Sequence, residues 1–153
     1  MNQIKIDKIL FPLDFSEVSP KIVPWVKYLA ENFGAEVHLL YVVRRMDHLG
    51  GFYVEEVSIK KFEKEILDGV DRSISEFAEK YFSEYKNIKT KYVVGDASDE
   101  IVNYVKTEGV NLIIMGTHGR KGLDRLFFGS VAEKIIKTAS VPVLSINPYR
   151  MDL

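Results

Sequence analysis

The 153-residue chain contains no cysteine, which excludes disulfides, thiolate metal sites and a cysteine nucleophile, and suits a reducing interior. Histidine occurs only three times, at scattered positions and never as H-E-x-x-H, so a zinc site has little to build on. Charge of one sign is not in excess either. Lysine and arginine total 21 against 22 aspartate and glutamate, leaving no global field to draw in nucleic acid or an anionic membrane. No apolar run reaches the roughly 20 residues that span a bilayer, and the start, MNQIKIDKIL, lacks the apolar core of a signal peptide. A cytoplasmic location with neither membrane nor nucleic acid as partner is the expectation. Three chemical motifs are also missing: the G-x-S-x-G of a nucleophile elbow, the P-loop G-x-x-x-x-G-K-[ST], and a G-x-G-x-x-G after the first strand.

What is present is ordinary folded composition, 46% apolar and 28% charged, in a length that suits one domain over residues 1–153. Lys8 to Leu13, KILFPL, reads as a strand stopped by the turn DFSEVSP. Ile22, Trp25, Val26, Leu29 and Phe33 then recur at helical spacing up to Gly34, although Pro24 is expected to tilt or delay the start of that helix. Glu36 to Val43 is a second strand, followed by a long connection, RRMDHLGGFYVEEVS. A long amphipathic helix carries Ile59, Phe62, Ile66, Val70, Ile74, Phe77 and Tyr81. Ile88 to Val94 alternates with Lys89 and Lys91, as on a guarded sheet edge. A short helix with Ile101, Val102 and Val105 follows, capped by Asp96 or Ser98. Asn111 to Met115 has the composition of a central strand, a helix starts at Ser130, and Val141 to Ile146 is a last strand whose Pro142 suits an edge.

Strand and helix alternate throughout, which predicts an α/β fold: a doubly wound five-stranded parallel sheet with helices on both faces. With the lysine-bearing and proline-bearing strands as the two edges, the strand order is 3-2-1-4-5. Winding then reverses between strands 1 and 4, and ligands of such sheets settle at that reversal, outside the carboxyl ends of the strands. Pro12 to Asp14 and Met115 to Gly119 are the segments that meet there.

Between the fourth strand and the last helix runs MGTHGRKGLDRLFFGS, which holds four of the chain's 10 glycines. Gly129 and Ser130 stand at the start of a helix, where unpaired backbone N–H groups attract an anion. A side chain at that point would hold a phosphate away from the amides. His118, Arg120, Lys121 and Arg125 in the same loop could offset phosphate charge, so a phosphate-bearing ligand is the favoured reading. The same segment also fits a ligand-free glycine turn with solvated charges. Asp14 could accept from ribose hydroxyls or cap the following helix. Asp96, Asp99 and Asp124 could be Mg²⁺ ligands, or caps and surface groups. His38 reads as a packed or half-exposed strand residue, His48 as a loop residue.

Gly116, Gly119, Gly129 and Ser130 satisfy G-x2-G-x9-G-[ST]. Together with KILFPLDFSE, LLYVV, NLIIMGTHG and VPVLSI, this makes essentially the whole chain resemble the universal stress proteins, in their ATP-binding subgroup. The resemblance implies an adenine nucleotide alpha hydrolase-like fold and a nucleotide-dependent regulatory or stress-response switch. Slow ATP hydrolysis or phosphotransfer, or an interaction dimer with a vestigial pocket, are the alternatives. It further implies that Pro12 and Asp14 meet the nucleoside, Val42 meets adenine through its backbone, and Met115 and Gly116 line the pocket. Gly119 and Arg120 would then lie near ribose and phosphate, and Gly129, Ser130 and Val131 would bind the phosphates. The implied ligand is ATP, ADP or AMP with Mg²⁺, and the implied partner is a second copy joined through the edge strand 141–146. Two departures from the family pattern are Leu13, where a small or polar residue is frequent, and Pro24.

Overall fold

A computed structural model describes residues 3–45, 56–118 and 129–151. Its elements in chain order are β1 (Lys8–Leu13), α1 (Ser19–Phe33), β2 (Glu36–Val43), α2 (Glu56–Phe82), β3 (Ile88–Val94), α3 (Ala97–Glu108), β4 (Leu112–Gly116), α4 (Ser130–Thr138) and β5 (Val143–Ile146). The strands form one parallel sheet in the order β3-β2-β1-β4-β5, as the sequence predicts. Both faces are covered, which is why β1, β2 and β4 are almost continuously apolar. Ile9, Phe11, Leu13, Val37, Leu39, Leu112 and Ile114 pack under α1 and α2. Leu10, Leu40, Ile113 and Met115 pack under α3 and α4. Leu13 spends its side chain in the first of these cores, where it is 5% exposed.

Several boundaries shift, each for a local reason. The last strand begins at Val143 rather than Val141, because Pro142 brings no N–H to a ladder; its carbonyl instead accepts from the Ile113 amide at 3.0 Å. Strand β4 gains Gly116, which pairs with Ile146, and loses Asn111. The Asn111 side-chain oxygen accepts from the Asp7 and Lys8 amides, both at 2.8 Å, pinning the entry to β1. Helix α2 starts at Glu56, ahead of the Ile59 that opens its apolar stripe. Asp96, not Ser98, caps α3, accepting from the Asp99 amide at 3.1 Å and from the Ser98 hydroxyl at 2.8 Å.

Pro24 does not delay α1, which begins at Ser19 with Pro20 in its first turn. The ring lies on the exposed side of the helix, where water can serve the Pro20 carbonyl that has lost its donor. Pro24→Ala should therefore stabilise the fold by about 1–2 kcal/mol, the regained helix bond being partly offset by a freer unfolded chain. Urea unfolding with an unchanged slope is the check.

Candidate functional site

Strands β1 and β4 pair only through Ile9↔Leu112 and Leu10↔Ile113, whereas β1 and β2 stay paired as far as Leu13↔Tyr41. Pro12 has no N–H to extend the β1–β4 ladder. The two strands thus part at their carboxyl ends, at the point where the winding reverses.

On the β1 side the chain turns at Asp14, which is half-buried. Its Oδ1 accepts from the Ser16 amide at 2.9 Å and from the Ser19 hydroxyl at 2.8 Å. Phe15, between them, has φ of 55°, a left-handed conformation that costs a bulky residue about 1–3 kcal/mol. Its ring lies 4.7 Å from that of Tyr41. The carboxylate does not cap α1, whose N-cap is Val18 without a side-chain bond; it holds the turn instead. Val42 stands one register step beyond the Leu13↔Tyr41 pair, half-buried, with its side chain against the α3–α4 core.

On the β4 side Met115 is buried in the core and Gly116 follows at the strand's end. A Cβ on Gly116 would lie 3.0 Å from the His118 carbonyl oxygen and 3.5 Å from Ile22 Cδ1, so only glycine fits without displacement. Thr117 then ties two segments together. Its N–H donates to the Ile146 carbonyl at 2.8 Å, and its carbonyl accepts from the Gly129 N–H at 2.8 Å. The Gly129 amide, expected to be free for an anion, is therefore committed to closing the neck of the glycine segment. One residue later α4 opens at Ser130 with no side-chain cap, so the amides of Ser130, Val131 and Ala132 lack intrahelical partners, the first helix bond running from the Glu133 amide to the Gly129 carbonyl at 3.0 Å. Ser130 is exposed and Val131 half-buried. Gly119 and Arg120, with Lys121, Asp124 and Arg125, lie outside the described residues, as does His48.

The structure thus gathers Pro12, Asp14, Val42, Met115, Gly116, Gly129, Ser130 and Val131 at one end of the sheet. It adds residues that sequence reasoning missed. Ser16 and Ser19 were legible in DFSEVS as hydroxyl residues two and five places after an aspartate. Nothing in the sequence signals the Thr117 bridge. Among the described residues no group of three or more histidine or acidic side chains could by itself hold a metal ion. Asp99 pairs with Lys134 at 2.8 Å. Two surface depressions, of about 230 Å³ beside Asp99 and Lys134 and of about 240 Å³ beside Arg44 and Glu63, are lined by none of the residues gathered at the crevice.

A second polar constellation occupies the other end of β2. His38 is fully buried; its Nδ1 meets the Tyr104 hydroxyl at 2.8 Å and its Nε2 the Glu36 Oε1 at 2.5 Å, with Lys89 Nζ 3.5 Å from the same oxygen. Burial, reinforced by Glu108 and Glu36, pushes the Tyr104 hydroxyl up to about 12. Both ring nitrogens of His38 are engaged within the protein, which makes the group a buried brace between β2 and α3 rather than a substrate site.

Residues 5–147 match the model of the universal stress protein family. Universal stress protein MJ0531 of Methanocaldococcus jannaschii is 33% identical over 145 residues, covering 92% of this chain and 81% of that protein. MJ0577 of the same organism is 32% identical over 152 residues, covering 92% and 94%. The solved structure of MJ0577 superposes with a TM-score of 0.76 over 98% of this chain and 100% of that one. More distant structures with the same fold include a universal stress protein in complex with cAMP, 15% identical with a TM-score of 0.64, and one from Archaeoglobus fulgidus in complex with dAMP, 18% identical with a TM-score of 0.60. On this similarity, running nearly the full length of sequence and fold, the chain belongs to the universal stress protein family.

Proposed function

We propose that the crevice between the ends of β1 and β4 binds an adenine nucleotide, and that the protein acts as a nucleotide-dependent switch. The observation that carries this reading is the uncapped N-terminus of α4, held beside the end of β4 by the Gly129–Thr117 bond. Amides there, with the Ser130 hydroxyl, form charge-assisted bonds to phosphate oxygens, helped by the helix dipole. Asp14 takes ribose hydroxyls, Val42 meets the base, Met115 and Gly116 line the nucleoside, and Gly119 and Arg120 complete the phosphate contacts. Adenine mononucleotides occupy two proteins of the same fold, which sets the ligand class to try first. ATP is the proposed cellular ligand, with ADP and AMP as its products or competitors. Mg²⁺ fits a site whose crevice carboxylate among the described residues is Asp14, because this ion is commonly held by one or two carboxylates plus the ligand's phosphates.

Calorimetry of nucleotide-free protein with Mg-ATP is expected to give saturable heat; silence at high micromolar concentration would overturn the reading. Asp14 already accepts two intramolecular bonds on Oδ1, which favours holding a ligand over abstracting a proton. Turnover faster than about one per second would shift the reading to an enzyme. The whole chain is proposed to act as one domain in the cytoplasm. It is also proposed to dimerise through β5, whose outer edge has no neighbour in the sheet among the described residues. Sedimentation showing only monomer at micromolar concentration would remove the dimer.

A further inference from the structure

After β5 the chain makes a tight turn braced by Asn147, which accepts the Tyr149 amide on its side chain at 3.0 Å and the Arg150 amide on its carbonyl at 3.2 Å. This turn lays Tyr149 between the end of β4 and the start of α1. On the β4 side, the Tyr149 ring meets the ring of His118 edge-on, with centroids 5.3 Å apart and planes at 80°. On the α1 side, Lys21 Nζ, from the first turns of the helix that follows Asp14, lies 5.4 Å from the centroid of the same ring. Tyr149 therefore links the end of β4 to the first turns of α1, the helix that packs over Gly116.

His118 is well placed to pass on what Tyr149 does. It is 7% exposed, its Nδ1 lies 2.8 Å from the Thr117 hydroxyl, and Thr117 closes the neck to Gly129. Its Nε2 is buried without a hydrogen-bond partner among the described residues. An imidazole left in that state is not placed there by hydrogen bonding alone, so its position depends on packing, and the packing partner seen is Tyr149. The Thr117 amide is bonded to Ile146, the last residue of β5, so the C-terminal turn reaches the neck through backbone as well as side chain.

We infer that Tyr149 and His118 form a strut coupling the C-terminal turn 147–150 to the ligand mouth, so that nucleotide binding and the ordering of that turn reinforce each other. The coupling rests on the nucleotide reading above; the strut itself does not. Linkage makes the effect reciprocal: whatever fixes the turn tightens nucleotide binding, and bound nucleotide fixes the turn. The turn directly follows edge strand β5, so the state of the crevice is delivered to the surface where a second copy or another partner would dock. Tyr149 and His118 are positioning residues in this scheme, acting through Thr117 and the neck.

The test uses the full chain with Tyr149→Ala and Tyr149→Phe, the second of which keeps the ring. Without nucleotide, exchange of the Gly129 amide should be at least about tenfold faster in Tyr149→Ala, while the core amide of Ile113 keeps its wild-type rate. Unchanged Gly129 exchange would overturn the strut. With ATP, Tyr149→Ala should bind about tenfold more weakly and Tyr149→Phe within about twofold of wild type. Wild-type affinity in Tyr149→Ala, or a Tyr149→Phe as weak as Tyr149→Ala, would overturn the coupling through the ring. Should the wild-type protein bind no adenine nucleotide, the nucleotide reading falls and the coupling with it, while the exchange measurement still decides the strut.

Discussion

Gly129→Val is expected to weaken adenine-nucleotide binding at least about 100-fold, the equivalent of two or more charge-assisted hydrogen bonds, while the fold survives. Two facts separate binding from folding at this residue. Gly129 has φ of −58° and ψ of 140°, which any L-residue adopts without strain. A Cβ there would lie 3.3 Å from the Thr117 carbonyl oxygen, close enough to crowd the neck but not to break the sheet. The γ-carbons of valine, however, would stand at the amides that open α4, where a phosphate must approach. Gly129→Ala should fall between the two. Calorimetry with Mg-ATP gives the affinities, and far-UV circular dichroism with thermal unfolding confirms the fold. Wild-type affinity in Gly129→Val would mean that the phosphates do not sit at this helix start.

The largest expected effect on stability lies at the other end of the sheet. Replacing His38 by alanine should cost about 3–5 kcal/mol, because it opens a cavity and strands both the Tyr104 hydroxyl and the inner face of Glu36. His38→Phe combined with Tyr104→Phe should cost less than His38→Phe alone, since removing both partners leaves no buried hydroxyl unpaired. The brace also predicts a pH dependence. Burial pushes the Glu36 carboxyl up, but the hydrogen bond and charge of His38, with those of Lys89, outweigh it and hold the group below its ordinary value. A carboxyl lowered by folding contributes stability that is present above its unfolded pKa and is lost as pH falls through the folded one. The urea midpoint of the wild type should therefore fall from about pH 5 downward, and its advantage over Glu36→Gln should shrink over the same interval. An advantage that does not vary with pH would refute this assignment.

Much of the architecture was legible because it rests on periodicity. Apolar residues over 8–13, 36–43 and 112–116, separated by helical stripes, require strands covered on both faces. Lys89, Lys91 and Pro142 name the edges by their chemistry, and the observed order of strands follows from them. The boundaries that moved, at Pro142, Asn111 and Pro24, moved where one hydrogen bond or one exposed face decides the outcome. Neither leaves a trace in spacing.

By itself the sequence determined the parallel sheet, its winding reversal and the glycine-bearing entry to α4, because all three follow from the local order of apolar, charged and small residues. Tertiary structure alone decided which polar groups remain available at the crevice. It committed the Gly129 amide to Thr117, buried His38 against Tyr104, and laid Tyr149 against His118 and Lys21. The physical reason is distance along the chain. Residues 38 and 104, or 21 and 149, become neighbours only after the crossovers have wound the sheet, and such partners cannot be read from either residue's local surroundings.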